Sequence, residues 1–256
     1  MPDSILQATE FSSGEMIFAL VCCFVAGAVR GFAGFALSAL IMSSLVVILP
    51  PIQLLPICFA METLAGLMML RSGFKSANFG TVAWLVLGSM IGVPIGAYAT
   101  VHLPVDVSKM IVLALIILLA VGQLFISVPK LGASRAITIA TGLAAGVATG
   151  LAHVGGMIIA LYVLAQNLTP TASRATLVLF LLGGTLTTGI SLFAFDFFNA
   201  QALWRSLLLA PAVAIGVIMG SLLFNPTLQR HYRRFCLTLL IGIALTSLVG
   251  SLLFRA

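Results

Sequence analysis

Long apolar stretches alternate with short polar or glycine-rich breaks along almost the whole chain. A helix needs about 20 apolar residues to cross the hydrocarbon core of a bilayer, and most of these stretches approach that length. Ten apolar segments are predicted, at residues 16–30, 34–49, 54–71, 80–101, 108–127, 136–150, 153–167, 172–193, 201–223 and 235–254. We therefore predict an all-α integral membrane protein.

The two halves of the segment pattern resemble each other. Two neighbouring pairs of segments are short, 16–30 with 34–49 and 136–150 with 153–167, and glycine-rich stretches divide each pair. At one constant offset, Gly27 falls on Gly146, Gly31 on Gly150, and Pro51 on Pro170. Several small-residue matches in the same order indicate a duplication. The predicted organisation is an extracytoplasmic N-terminal segment at residues 1–15, a first membrane repeat at 16–129 and a second at 136–256. Each repeat has five segments, including one pair of broken or re-entrant helices.

The loop charges predict the topology. The chain has 12 Lys and Arg against 6 Asp and Glu, and most of the basic residues fall in alternate loops, as expected for loops held in the cytoplasm. The loop cations assigned to the cytoplasm are Arg71, Lys75, Lys130, Arg135, Arg230, Arg233 and Arg234. This assignment places both termini on the extracytoplasmic side of the cytoplasmic (inner) membrane. Each half then crosses the bilayer an odd number of times, so the second repeat is predicted to be inverted relative to the first.

Composition narrows the classes of function. Apolar residues make up 61% of the chain and charged residues only 7%, too few to cover a water-soluble domain. No run of Lys and Arg with interleaved aromatic residues is present, so nucleic-acid binding is not expected. The 4 cysteines lie in apolar stretches without a CxxC pair, which indicates small buried side chains and predicts no metal site or cofactor. No nucleophile with a base can be assembled, so the protein is not expected to be an enzyme. Stripes of small residues fit internal packing or a homodimer equally well.

The glycine-rich breaks are where chemistry is expected. A helix that breaks inside the bilayer frees backbone N–H and C=O groups, which protein, water or a ligand must satisfy. Inverted repeats with matching broken helices are typical of transporters, and the N-termini of half-helices favour anions. The glycines could instead serve close helix packing, but we favour unwound backbone that lines a ligand cavity. The candidate substrate-binding residues are Arg30, Gly31, Phe32, Gly34, Thr149, Gly150, His153, Gly155 and Arg174.

Arg30 has two competing interpretations. A cation at membrane depth costs a few kcal/mol, about 2.5–3.5 kcal/mol on insertion scales, so it requires a partner or a polar cavity. It could pair with Glu62, the one acidic residue inside a predicted span. It could instead bind an anionic substrate through its planar fork of donors, and the two states could alternate during a cycle. We favour the substrate.

Three further charged or titratable side chains are candidates. Glu62 is a candidate for proton coupling, because burial favours the neutral form of a carboxyl group. His153 is a candidate for ligand binding or proton transfer, because histidine titrates near physiological pH. Arg174 is explained most simply as an anchor at the cytoplasmic interface, with a role in a gate as the alternative.

The stretches that carry these features resemble the TauE/SafE sulfite exporter family of membrane permeases. They are AGAVRGFAGFALSAL and GSMIGVPIGAYATVHLP in the first half, and GLAAGVATGLAHVGGMIIAL, LTPTASRAT and APAVAIGVIMGSLLFNPTLQRHYRRF in the second. The family's richer glycine run after the first break is replaced here by Phe32, Ala33, Phe35 and Ala36. The resemblance implies export of sulfite or small organosulfonates, driven by the proton gradient.

The resulting hypothesis is a secondary transporter that moves a small anion, a sulfite or an organosulfonate, across the bilayer by alternating access. Its expected partners are the anion and the lipid bilayer. The alternatives are a carrier of another small carboxylate or inorganic anion, and a membrane scaffold that transports nothing.

Overall fold

A computed structural model describes residues 10–74, 77–125, 134–166, 168–224 and 229–253, and within these ranges the chain forms ten α-helices and no strand. The helices are α1 (Ser13–Ala33), α2 (Leu37–Leu45), α3 (Pro51–Phe74), α4 (Phe79–His102), α5 (Val105–Phe125), α6 (Arg135–Ala152), α7 (Gly155–Ala165), α8 (Pro170–Ala194), α9 (Ala200–Leu222) and α10 (Gln229–Leu253). Each predicted segment overlaps one helix, so the all-α prediction is confirmed. Eight of the helices are long and apolar enough to span a bilayer, and the chain is a multi-pass membrane protein.

Local sequence explains where several helices begin. Ser12 and Glu15 form a capping box at α1, in which the Ser12 hydroxyl accepts from the Glu15 N–H at 3.3 Å and the Glu15 carboxylate accepts from the Ser12 N–H at 2.8 Å. Asn78 caps α4 through its side-chain oxygen. Thr169 caps α8, whose first residue, Pro170, is suited to that position because it has no N–H to satisfy.

Only one helix of each broken pair is short. Helices α1 and α6 have 21 and 18 residues, whereas α2 and α7 have 9 and 11. The prediction that both members of each pair are short was therefore wrong. Helix α1 continues through Gly31 and helix α6 continues through Gly150, because a single glycine inside an apolar helix is tolerated at a cost of about 1 kcal/mol.

The two halves of the chain pack in a reciprocal pattern. Helix α1 lies against α9, and α6 lies against α4; α3 contacts α9, and α8 contacts α4. We can exchange each helix of the first half with its counterpart in the second, α1 with α6 and so on to α5 with α10. The α1–α9 contact then becomes the α6–α4 contact, and the α3–α9 contact becomes the α8–α4 contact. The α3–α8 and α5–α10 contacts are unchanged by this exchange. The α4–α6 pair runs parallel, since Gly88 lies against Ile139 and Gly96 lies against Val147 further along both helices. One helix, α5, connects α4 to α6, so a parallel pair is expected whether or not the second repeat is inverted, and the inversion stays a prediction.

Several predicted assignments are not decided by these helices. The division into segments 1–15, 16–129 and 136–256 stays a prediction, and so does the extracytoplasmic position of both termini. Residues 1–9 and the loop cations Lys75 and Lys130 lie outside the described ranges. The homodimer also stays a prediction. The glycine stripes of α4 and α6 pack against each other within one chain, and they consist of Gly88, Gly92, Gly96, Gly142, Gly146 and Gly150.

The close packing of the glycine stripes can be tested directly by substituting alanine for one of the glycines. A Cβ atom added at Gly146 would lie 2.6 Å from the Ser89 carbonyl oxygen and 2.9 Å from the Gly92 Cα, both backbone atoms, whereas one added at Gly242 of α10 would meet nothing within 4 Å. We expect Gly146→Ala to destabilise the protein by about 1–3 kcal/mol through overpacking. Gly242→Ala should be neutral or slightly stabilising, because alanine is the better helix former by about 1 kcal/mol. Thermal unfolding of both variants in detergent measures the difference, and equal melting temperatures would contradict this account of the stripes.

Candidate functional site

Each chain break is made by residues in the left-handed backbone conformation. Helix α1 ends at Gly34, whose φ is 81° and whose N–H donates to the Arg30 carbonyl at 2.8 Å, and α2 follows Ala36 at φ 72°. Helix α6 ends at His153, at φ 55°, directly before Val154 and α7. Gly34 and His153 occupy equivalent positions at the offset that relates the two halves. Positive φ is uncommon for non-glycine residues, although histidine is enriched there, and such conformations concentrate at functional sites.

The two breaks meet around two small interior cavities. The first, of about 10 Å³, is lined by Ala36, Ser38, Ala39, Glu62, His153, Val154, Gly156, Met157 and Leu181. The second, of about 20 Å³, is lined by Glu62, Ser89, Val93, Thr149, His153, Phe180, Leu181, Gly184, Thr185 and Thr188. Glu62, His153 and Leu181 line both cavities, so these three side chains separate them. Each cavity holds about one water molecule at most.

The carboxylate of Glu62 lies at the N-terminus of α2. Its Oε1 accepts from the Ser38 hydroxyl at 3.0 Å and from the Ser38 N–H at 3.4 Å, and Ser38 is the second residue of α2. Glu62 projects from the middle of α3 and is 4% exposed. The N-terminus of a helix carries free N–H groups and partial positive charge, which stabilise an anion. Glu62 therefore occupies the place at which the sequence predicted a bound anion.

Arg30 pairs with the same carboxylate. Its side chain is fully buried; Nη2 lies 3.2 Å from Glu62 Oε2, and Nη1 donates to the Gly34 carbonyl. Nε has no hydrogen-bond partner in the described part of the chain. The ion pair with Glu62 that the sequence suggested as one alternative is present. Arg30 lines neither cavity, whereas its partner Glu62 lines both.

The second break lacks an equivalent carboxylate. The N-cap residue of α7, Val154, makes no capping hydrogen bond through its side chain, and Leu181, which corresponds to Glu62 at the repeat offset, packs against Gly156. His153 is 8% exposed, and its Nδ1 has no hydrogen-bond partner among the described residues. The second break therefore presents a helix N-terminus and an unsatisfied imidazole to the cavities.

Arg174 links three helices, α8, α1 and α9, near the first break. From α8 its Nη2 donates to the Gly31 carbonyl of α1, at 2.5 Å, and to the Ser221 hydroxyl of α9, at 3.3 Å. Its guanidinium also lies 4.6 Å from the centre of the Phe224 ring. Cations near the C-terminus of a helix interact favourably with its free carbonyls. Arg174 lines neither cavity, so a direct substrate contact and a gate role both stay predictions.

The other predicted contacts divide into two groups. Thr149 lines the second cavity, and Gly155 is the first residue of α7. Gly31 lies in close contact with Val217, and Gly150 lies in close contact with Val93. The expectation of unwound backbone at these two glycines was wrong, because each is a helical residue at which a neighbouring backbone approaches too closely for a Cβ atom.

Phe32 lines neither cavity. Its ring lies edge-on to Phe224 at 5.7 Å between centroids, so it extends the packing around Arg174. Its predicted role in substrate binding is untested.

Small hydroxyl side chains are the part of the site that sequence reasoning missed. The structure adds Ser38, Ser89, Thr185 and Thr188 to the cavity walls. Thr185 and Thr188 stand three residues apart on α8, a spacing that puts them on one helix face. Serine and threonine are common in membrane helices as interhelical contacts, so their types alone did not distinguish these four.

The groups around the two breaks are of the kinds that suit a small anion. Two buried guanidiniums and one buried carboxylate surround the first break, and two helix N-termini point towards the cavities. The hydroxyl groups supply further neutral donors, which suit the oxygens of an oxyanion.

The comparison with protein families gives one match that covers most of the chain. The family model described as Sulfite exporter TauE/SafE matches residues 19–247, which include both breaks and all ten helices in whole or in part. Searches of curated proteins and of solved structures returned no match. The chain belongs to the TauE/SafE sulfite exporter family of membrane transporters.

Proposed function

We propose that this transporter moves sulfite or a small organosulfonate across the cytoplasmic membrane, in the outward direction, by alternating access. The observation that carries the proposal is the meeting of two broken helices around buried positive charge, with Arg30 and the N-terminus of α2 already holding a carboxylate. A carboxylate and a sulfonate both present oxygens that share one negative charge, so groups that hold one are suited to the other.

The cavities support an occluded arrangement that must open to admit substrate. Each accommodates about one water molecule, whereas sulfite has four non-hydrogen atoms. Movement of Glu62, together with His153 or Leu181, away from the wall that the cavities share would join the two spaces, and it would free the Arg30 guanidinium from its partner. Rocking of one repeat against the other, as in transporters built from inverted repeats, would then open the site to either side.

Proton coupling completes the proposal. Glu62 and His153 are the titratable side chains that line the cavities, and protonation of either increases the positive charge available to an anion. A proton bound in this way leaves with the anion, so outward transport would be driven by the substrate that accumulates in the cytoplasm. The proposal includes both termini on the extracytoplasmic side, as the loop charges predict.

Flux into proteoliposomes tests the function. Purified protein should carry sulfite and methanesulfonate, while acetate, of similar size, separates a sulfonate carrier from a carboxylate carrier. Matched liposomes without protein give the background. Transport of acetate alone would favour the carboxylate alternative. Absence of flux for every anion, with no ligand-induced change in melting temperature, would favour the scaffold.

A further inference from the structure

The Glu62 carboxylate already contacts two separate groups of donors, and an anionic substrate would need both of them. One carboxylate oxygen is held by Ser38 at the start of α2, and the other faces the guanidinium of Arg30. The ion pair is buried, with side-chain exposures of 0% for Arg30 and 5% for Glu62. Among the cavity-lining residues, Glu62 is the one that carries a carboxylate.

We propose that Glu62 is an internal competitor of the substrate: the anion takes over Arg30 and the N-terminus of α2 only when Glu62 is protonated, so that one proton travels with each anion. This inference rests on the proposed function and specifies its coupling. The proton is bound at the Glu62 carboxylate when the anion enters and is released when the anion leaves and the ion pair with Arg30 forms again. No covalent bond other than that O–H bond is made or broken.

Charge repulsion makes the two occupants mutually exclusive. An ionised Glu62 and a bound anion would place two negative charges beside one guanidinium in a region of low dielectric, where their repulsion is weakly screened. A protonated Glu62 removes one of these charges and gains a hydroxyl that can donate to the incoming anion.

The other groups around Glu62 do not provide an equivalent exchange. Arg30 on α1 is a permanent cation, and Arg174 on α8 is directed to the Gly31 carbonyl. Cys58 on α3 donates its thiol to the Ser38 carbonyl, with the sulfur at 4.0 Å. His153 at the second break lines the same cavities, so it is the alternative proton site that an experiment must separate from Glu62.

The geometry also defines the class of ligand. The carboxylate reaches Ser38 with one oxygen and Arg30 with the other. A replacement must therefore carry at least two oxygens on one central atom, as sulfite, sulfinates, sulfonates and carboxylates do. A halide, which is a single sphere of charge, cannot bridge both groups of donors.

Linkage between proton and anion fixes the sign of the pH dependence. If one proton must bind Glu62 before the anion does, the observed affinity falls about tenfold for each pH unit once Glu62 is mostly ionised. Methanesulfonate is the suitable probe, because it stays a monoanion across the range, whereas sulfite itself titrates. Wild-type protein should take up about one proton per methanesulfonate bound.

The experiment is titration calorimetry of detergent-purified protein with methanesulfonate, from about pH 5 to about pH 8, in buffers of different ionisation enthalpy. Glu62→Gln, a neutral mimic of the protonated side chain, should bind with an affinity that does not change with pH and without proton uptake. Glu15→Gln is the matched control, because Glu15 is a carboxylate on α1 that bonds only to Ser12 among the described residues. It should retain the wild-type pH dependence.

Two outcomes would overturn the inference while leaving the proposed function in place. Wild-type protein could bind methanesulfonate without proton uptake, a measurement that does not depend on any variant folding. Glu62→Gln could keep the wild-type pH dependence, which would identify His153 as the residue that binds the coupled proton. Absence of methanesulfonate and sulfite binding at every pH would instead overturn the proposed function, and this inference with it.

Discussion

Arg30→Gln is expected to abolish anion binding and to destabilise the protein, and the double variant Arg30→Gln/Glu62→Gln is expected to recover stability without recovering binding. Removing one partner of a buried ion pair leaves the other charge uncompensated, at a cost of about 3–5 kcal/mol, whereas replacing both partners by neutral groups is often nearly neutral. Arg30 and Glu62 are both buried, with Nη2 and Oε2 at 3.2 Å, so this pair meets the condition for the large penalty. Anion binding, in contrast, depends on the positive charge of Arg30, which the second substitution does not restore.

Thermal unfolding and methanesulfonate binding of the two single variants and the double variant measure the separate effects. Arg205→Gln is the matched control, because Arg205 is also a buried cation on a membrane helix, 3.8 Å from Glu10 and bonded to Gln53 at 2.9 Å. Its carboxylate partner is largely exposed and stays solvated when Arg205 is removed, so we expect a smaller loss than for Arg30→Gln, about 1.5–3 kcal/mol for the hydrogen bond to Gln53. Its anion affinity should equal that of the wild type. If Arg30→Gln binds methanesulfonate as the wild type does, Arg30 has a structural role only.

The ion pair is also the clearest example of what the sequence could predict. Within the predicted spans Glu62 was the one acid, and Arg30 stood at a glycine-rich break. The cost of an isolated charge in the bilayer restricts such residues to a partner or a polar cavity. Composition and position therefore suggested the pair as one of two alternatives, although the sequence analysis favoured a bound substrate. The helices were predictable for a related reason, since backbone groups in lipid must be satisfied within each segment.

The exact positions of the breaks could not be predicted in the same way. Gly31 and Gly34 are of one residue type and lie three residues apart, but only Gly34 adopts positive φ, while Gly31 continues the helix. What distinguishes them is tertiary contact: Gly31 lies against the backbone of α9. The positive φ of His153 could not be read from residue type either, because local propensity favours glycine there. The capping of α2 by a residue of α3, through Ser38, likewise depends on packing between segments that are distant in sequence.

Arg174→Ala is expected to open the predicted cytoplasmic side of the transporter. In the structure this side chain links α8 to the Gly31 carbonyl of α1 and the Ser221 hydroxyl of α9, and it packs against Phe224. Losing these contacts together removes roughly 2 kcal/mol of stabilisation from the closed arrangement. A change of that size shifts a two-state equilibrium about thirtyfold towards the open state.

Cys58 supplies a native reporter for this opening. Its side chain is fully buried beside Ser38, so a polar thiol reagent reaches it only when the site is open. In a background in which the other cysteines are replaced by serine, namely Cys22, Cys23 and Cys236, Arg174→Ala should raise the labelling rate of Cys58 by about ten- to thirtyfold. The reagent is membrane-impermeant and is applied to inside-out vesicles. Methanesulfonate should slow the labelling, because it occupies the adjacent site.

Arg135→Ala is the control that separates a gate from a general effect of removing a cation on that side. Arg135 is exposed at the first residue of α6, with its guanidinium 5.6 Å from the centre of the Trp84 ring. It makes a cation–π contact as Arg174 does, but it does not link α1, α8 and α9, so the labelling rate of Cys58 should stay at the wild-type value. If Arg174→Ala also leaves that rate unchanged, or raises it only in right-side-out vesicles, then Arg174 is an interfacial anchor and the cytoplasmic closure of the site depends on other contacts.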